Sequence, residues 1–136
     1  MTESFEVSTT LPASAEKIFN AWLDAKEHSK FTGGGKSTGK PVVGGKFTAW
    51  DGYISGKNLI LEPNTRIVQS WRTTEFPESS PDSTIEVTFK DVKSGTKITI
   101  KHENIPEGQG ESYKKGWKDY YFKPMKEYCL NLDSQD

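Results

Sequence analysis

The chain has 136 residues, a length that suits one domain with one hydrophobic core. Its 18 basic and 19 acidic residues leave a net charge of -1, so no overall field favours nucleic acid or an anionic membrane. A single cysteine excludes an internal disulfide and a multi-thiolate metal site, and no apolar run approaches the roughly 20 residues that span a bilayer. We expect one cytoplasmic domain over residues 1–136, without a metal or other cofactor.

The first third of the chain predicts a strand, two helices and a loop. Apolar and polar residues alternate from Phe5 to Thr10, a period of two that indicates a half-buried strand. Ser14 is a suitable N-cap for a helix over Ala15 to Leu23, where apolar residues recur at helical spacing. A short polar helix is expected over Asp24 to Phe31, and the glycine-rich segment 32–45 is expected to be a mobile loop.

The middle of the chain returns to a period of two and predicts an antiparallel meander of five strands. Residues with turn-forming chemistry separate each strand from the next. The predicted strands are Lys46 to Asp51, Tyr53 to Leu61, Arg66 to Thr74, Ser83 to Asp91 and Thr96 to Asn104. The alternation predicts one dry and one wet face for this sheet.

After Ile105-Pro106 the apolar spacing changes to 3.6 residues and predicts one long helix. Its aromatic and apolar stripe consists of Tyr113, Trp117, Tyr120, Tyr121, Met125 and Tyr128. Pro124 lies inside the stripe and lacks a backbone N–H, so it should kink the helix or divide it. The pattern as a whole predicts an α+β domain in which a curved antiparallel sheet of about six strands wraps the terminal helix.

Sequence signals for catalysis or metal binding are weak. The glycine-rich loop has phosphate-loop spacing up to Lys40, but Pro41 offers neither a hydroxyl for magnesium nor an N–H for phosphate. The two histidines, His28 and His102, have no carboxylate at ligand spacing. Cys129 lacks an evident histidine partner, and no nucleophile-elbow motif occurs. We predict no catalytic residue and no metal site.

Aromatic residues are the remaining unusual feature, because those on the strands face the side from which the terminal helix approaches. Either they fill the core, at about 1.5–3 kcal/mol for each large side chain, or they line a pocket. The predicted pocket residues are Phe47, Gln69, Trp71, Phe89, His102, Trp117 and Tyr121. His102 is the strongest single candidate, although a hydrogen-bonded structural histidine is the more ordinary role at such a position. Trp50 and Tyr53, beside the Gly52 turn, are expected to be exposed.

A series of motifs makes the chain similar to a known family. The motifs are Gly44-Gly45-Lys46-Phe47, Asp51-Gly52-Tyr53-Ile54-Ser55-Gly56, Leu61-x-Pro63, Arg66-Ile67-Val68, Trp71-Arg72 and Gly116-Trp117-Lys118-Asp119-Tyr120-Tyr121-Phe122. In order and spacing they resemble the C-terminal domain of the heat-shock protein 90 ATPase activators over nearly the whole chain. Pro124 departs from the family, since the eukaryotic activators look like having glycine there.

The resemblance implies the helix-grip fold of START domains and the birch-pollen-allergen superfamily, with a groove or cavity between the sheet and the long helix. It also implies a non-catalytic, co-chaperone-like binding domain whose partner is a heat-shock protein 90-type chaperone. We expect Trp50 and Tyr53 to lie on the partner surface. The alternatives are a carrier or sensor of a small hydrophobic ligand in that cavity and, ranked last, a cyclase-like or hydrolytic enzyme that uses His102.

Overall fold

Seven antiparallel strands and a C-terminal helical arm dominate the computed structural model, which describes residues 2–31 and 37–134. The strands are β1 (Thr2–Leu11), β2 (Thr38–Gly39), β3 (Lys46–Ala49), β4 (Ile54–Glu62), β5 (Arg66–Thr73), β6 (Ser83–Val92) and β7 (Gly95–Pro106). The helices are α1 (Ala15–Leu23), α2 (Ala25–Phe31), α3 (Gly110–Gly116), a π-helical segment (Trp117–Phe122) and α4 (Lys123–Ser134). This arrangement confirms the predicted α+β helix-grip fold.

One sheet contains all of these strands in the order β1-β7-β6-β5-β4-β3-β2. The central strands pair Val87 with Ile100 on β6 and β7, and Val7 of β1 lies opposite Ile100 on its other side. These side chains share the face that packs under the helices, and Val87 and Ile100 are fully buried. The period of two therefore marks the core face correctly, because successive strand residues point to opposite sides of a sheet.

The predicted count of about six strands was one too low, because β2 lies in the segment predicted to be a loop. Thr38 and Gly39 pair with Thr48 and Phe47 of β3, and the hydroxyls of Thr38 and Thr48 are 2.7 Å apart. The partner strand supplies this pairing, whereas local sequence rich in glycine contains no strand signal. Residues 32–36 of the predicted loop lie outside the described residues.

The turn between β3 and β4 begins earlier than predicted, because β3 ends at Ala49 and not at Asp51. Trp50, Asp51 and Gly52 all have positive φ, at 54°, 58° and 91°. Two consecutive left-handed residues followed by a glycine form a tight turn. Only glycine adopts the left-handed conformation without a steric cost. The left-handed conformation of the bulky Trp50 is thus a local departure from intrinsic preference.

The two short helices begin as their capping side chains dictate. Ser14 caps α1 as predicted, since its Oγ accepts a hydrogen bond of 3.2 Å from the Lys17 N–H. The prediction that α2 begins at Asp24 is wrong, because the helix begins at Ala25 and Asp24 precedes it. The Asp24 Oδ1 accepts a hydrogen bond of 3.0 Å from the Glu27 N–H. An acidic side chain at that place satisfies a backbone donor that the helix itself leaves unpaired.

The terminal helix changes its hydrogen-bond pattern ahead of Pro124. The Lys123 N–H donates to the Lys118 carbonyl, five residues back, within the π-helical segment. Pro124 lies at the start of α4 and has no N–H to donate. In a regular α-helix its ring would also clash with the carbonyl four residues before it. The proline thus accompanies a division into three segments, and the interruption begins at Trp117, earlier than predicted.

Candidate functional site

An aromatic groove of about 480 Å³ lies between the sheet and the terminal helix. Its lining comes from the β3–β4 turn, β4, β5 with the loop after it, α3 and the π-helical segment. The lining residues are Trp50, Tyr53, Ile54, Trp71, Glu75, Ser112, Tyr113, Gly116, Trp117, Tyr120 and Tyr121. Seven of these eleven are aromatic and one is charged, and the volume falls within the usual range for small-molecule sites.

Trp50 bridges the sheet and the helix at one end of this aromatic groove. Its ring centroid lies 6.0 Å from that of Tyr120 and 6.4 Å from that of Tyr121, with the rings edge to face in both pairs. Tyr120 is 62% exposed, whereas Tyr121 is buried. The left-handed turn therefore places an aromatic side chain between solvent and the buried floor of the groove.

A chain of hydrogen bonds holds Tyr121 in place. The His28 ring donates from Nδ1 to the Trp22 carbonyl at 2.9 Å, because a carbonyl can only accept. His28 Nε2 is then an acceptor for the Tyr121 hydroxyl at 3.0 Å. Burial lowers the pKa of His28 to about 4 and raises the pKa of Tyr121, so both side chains are neutral at pH 7.

The other end of the groove is polar. The Tyr53 hydroxyl donates to Glu75 Oε2, and the Tyr113 hydroxyl donates to Gln109 Oε1 at 2.6 Å. The Thr73 hydroxyl lies 2.7 Å from the Tyr113 hydroxyl and accepts a bond from the Glu75 N–H. Burial, with a smaller effect of the hydrogen bond to Glu75, raises the pKa of Tyr53. This network keeps the Glu75 carboxylate at the edge of the aromatic groove.

His102 lies behind the groove floor and has no exposed surface. Trp117 Nε1–H donates to His102 Nδ1 at 3.1 Å, which leaves Nε2–H to donate to Ser83 Oγ at 2.8 Å. Ser83 in turn donates to the Trp71 carbonyl at 2.6 Å. Burial lowers the pKa of His102 to about 3. The imidazole is thus neutral, both of its nitrogens are hydrogen-bonded, and it fixes two tryptophans of the floor.

Gln69 belongs to a second polar chain, away from the groove. Trp22 Nε1–H donates to Gln69 Oε1 at 3.2 Å, and Gln69 Nε2–H donates to Asn58 Oδ1 at 2.7 Å. Asn58 Nδ2–H then donates to the Lys40 carbonyl at 2.9 Å. Gln69 and Phe47 border a space of about 20 Å³ beside this chain, which is too small for an organic ligand.

The structure places in one groove residues that were predicted to belong to two separate sites. Trp71, Trp117 and Tyr121, expected in a cavity, share the aromatic groove with Trp50 and Tyr53, expected on a partner surface. Four other expected cavity residues lie outside its lining: Phe47 and Gln69 as described, His102 behind the floor, and Phe89 edge-on to Phe19 at 5.8 Å in the core.

Six groove residues were missed from the sequence. They are Ile54, Glu75, Ser112, Tyr113, Gly116 and Tyr120. Ser112, Gly116 and Tyr120 follow one another at intervals of four, so the helical period on the predicted terminal helix could have found them. Glu75 follows the end of β5 in a loop, where no periodic pattern marks it.

Among the residues that the structure describes, no group of three metal-binding side chains of the His, Cys, Asp and Glu types comes together. Nor does any described helix have the length and hydropathy to cross a membrane.

Comparisons with known proteins agree on one family. The family described as Activator of Hsp90 ATPase homolog 1-like protein matches residues 12–129. The human activator of 90 kDa heat shock protein ATPase homolog 1 is 37% identical over 118 residues, 87% of this chain and 34% of its own length. A Dictyostelium discoideum homologue is 37% identical over 76 residues, 55% of this chain and 20% of its own. The chain therefore spans about a third of the human relative's length and a fifth of the other's.

Solved structures give the same picture. The crystal structure of an HSP90 activator from Plasmodium falciparum superposes with a TM-score of 0.79 at 30% identity, covering 88% of this chain and 91% of that one. CalU16 from Micromonospora echinospora has a TM-score of 0.78 at 21% identity, covering 98% of this chain and 80% of that one. The second likeness concerns the fold alone.

Proposed function

This chain belongs to the family of Activator of Hsp90 ATPase homolog 1-like proteins, and on that basis we propose that it is a non-catalytic domain that binds a heat-shock protein 90-type chaperone in the cytoplasm. The observation that carries the proposal is the similarity to the human activator over 87% of the chain. Binding is proposed to stimulate ATP hydrolysis by the chaperone. The domain itself acts by contact.

The proposed contact surface is the rim of the aromatic groove formed by Trp50, Tyr53 and Tyr120. Tyr53 is 36% and Tyr120 62% exposed, and aromatic residues of this kind are enriched among the residues that dominate binding energy. Trp50 is held by its edge-to-face contacts with the helix, so little side-chain freedom is lost when a partner covers it.

The test is a titration of the protein into the heat-shock protein 90-type chaperone of the same organism, with complex formation and ATP hydrolysis measured together. We expect the wild type to bind and stimulate. A Trp50→Ala, Tyr53→Ala variant should bind about 30-fold more weakly or worse, since central aromatic residues contribute about 2 kcal/mol or more.

The matched control is Leu59→Ala, Ile60→Ala, which truncates two other exposed apolar side chains that do not line the groove. It should bind and stimulate like the wild type. Absence of stimulation by the wild-type protein would contradict the proposed function. Equal loss in both variants would contradict the proposed surface.

A second candidate function is the carriage or sensing of a small hydrophobic ligand, favoured by the volume and aromatic lining of the groove. Native mass spectrometry of the protein as purified from its own organism would detect such a ligand as an added mass that is lost on denaturation. A cyclase-like or hydrolytic activity through His102 has less support, because both ring nitrogens are hydrogen-bonded and the ring has no exposed surface.

A further inference from the structure

The charge of the aromatic groove is one-sided. Among the residues that the structure describes, Glu75 is the one charged side chain in its lining, and no Lys, Arg or His lines it. Within residues 2–31 and 37–134, no basic side chain pairs with the Glu75 carboxylate, and its one side-chain hydrogen bond comes from the Tyr53 hydroxyl. The nearby Arg72 forms an ion pair with Asp82 at 2.8 Å instead. The described lining of the groove thus presents a negative charge without a compensating cation.

The aromatic lining adds to this preference. The faces of Trp and Tyr rings carry negative electrostatic potential, and cations placed over them within about 6 Å are attracted. The ring centroid of Trp71 lies 5.0 Å from that of Tyr113 and 5.6 Å from that of Trp117. All three rings line the groove, so several aromatic rings border the same space. An organic cation can lose part of its hydration here and keep favourable contacts on more than one side, which an anion cannot.

We propose that the aromatic groove binds a small organic cation: a quaternary or alkylated ammonium group on an apolar body. The positive charge lies at the Glu75 and Tyr53 end, and the apolar body lies against Trp71 and Trp117. This inference deepens the second candidate function, since it rests on the groove as a ligand site and specifies the class of ligand. It does not depend on binding of a chaperone.

Benzyltrimethylammonium and its uncharged isostere neopentylbenzene separate charge from shape, because carbon replaces nitrogen and little else changes. Three of the four tryptophans line the groove, so intrinsic fluorescence of the whole chain reports binding, with shifts of backbone amide resonances as a second readout. We expect the cation to bind about tenfold or more tighter than the isostere, as a cation over several partly desolvated rings should.

Two pairs of variants locate the site. Glu75→Gln should weaken binding of the cation about threefold or more and leave the isostere unaffected, while Glu78→Gln makes the same charge change on an exposed residue of the same loop, outside the lining, and should change neither. A Cβ at Gly116 meets nothing within 4 Å and the backbone there is already helical, so the fold can accept a leucine at this position. Because Gly116 lines the groove, the side chain of Gly116→Leu should occupy the groove and prevent binding of both ligands. Lys115→Leu adds the same side chain on an exposed neighbour and should bind like the wild type.

The outcomes distinguish the inference from the function on which it rests. Equal or tighter binding of neopentylbenzene, or an unchanged affinity in Glu75→Gln, would overturn the cation preference and leave the groove as a site for neutral hydrophobic ligands. Failure of the cation to bind at millimolar concentration, together with failure of the isostere to bind up to its much lower solubility limit in water, would overturn the inference and the carrier function together. The chaperone titration is unaffected by either result.

Discussion

The two buried histidines should make the folded protein sensitive to mild acid. Burial lowers the pKa of His28 to about 4 and that of His102 to about 3, against about 6.5 in the unfolded chain. The unfolded state therefore binds protons that the folded state does not bind. The free energy of unfolding therefore keeps its full value above about pH 6.5, and it decreases as the pH falls toward the pKa values of the two histidines in the folded state.

The magnitude follows from the populations of protonated histidine. Between pH 7 and pH 5 an unfolded histidine goes from about one quarter to nearly full protonation, which costs the folded state about 2 kcal/mol for each histidine. These are the two histidines of the chain, so the expected total is about 4 kcal/mol. A loss of this size is a large part of the ~5–15 kcal/mol that stabilises a typical domain. Carboxyl groups titrate mostly below this window.

The free energy of unfolding should be measured with urea at pH 7, 6 and 5, followed by tryptophan fluorescence and circular dichroism. A His28→Gln variant can still donate to the Trp22 carbonyl and accept from Tyr121, and it should lose only about half as much stability over this range, about 2 kcal/mol. A change below about 1 kcal/mol in the wild type, or folded-state histidine resonances that titrate near pH 6.5, would refute the reasoning.

Two further substitutions test the packing around the site. Gly56→Ala should destabilise by about 2–3 kcal/mol or more, because the added Cβ would lie 1.9 Å from the Ser70 carbonyl oxygen and 2.7 Å from the Phe47 ring. Thermal unfolding measures this loss, and an unchanged midpoint would contradict the close approach. Gln69→Leu should cost about 2–4 kcal/mol, since it removes the acceptor of the Trp22 N–H and the donor to Asn58 in a buried environment. Urea unfolding with less than about 0.5 kcal/mol of change would show that water replaces both bonds.

Periodicity predicted the regular elements well where one face is buried. The strand expected over Ser83 to Asp91 is β6 (Ser83–Val92), and the one expected over Arg66 to Thr74 is β5 (Arg66–Thr73). In a half-buried strand the alternation of apolar and polar residues follows the alternation of buried and exposed positions, so each residue of the strand can be assigned to a face from the sequence. The turn at Trp50 was placed too late because its left-handed backbone is imposed by the meeting of two strands, against the preference of a bulky residue.

The candidate site was only partly predictable. Aromatic residues on the terminal helix were expected near the sheet, and Trp117 and Tyr121 do line the groove. The role of His102 could not be read from the strand pattern, because alternation places a side chain on a face but does not say which atoms meet it. Its two partners, Ser83 and Trp117, are 19 and 15 residues away in the chain.

The sequence by itself determined the fold class, the order of the elements apart from the two-residue β2, the buried faces of β1, β6 and β7, and the family, because these depend on local periodicity, turn chemistry and linked motifs. Tertiary structure alone decided that Trp50 and Tyr53 share one groove with Trp71 and Trp117, and that Glu75 is the charged residue of its described lining. The physical reason is that a groove forms from side chains of separate elements, whose distances and directions are set when the helix packs on the sheet.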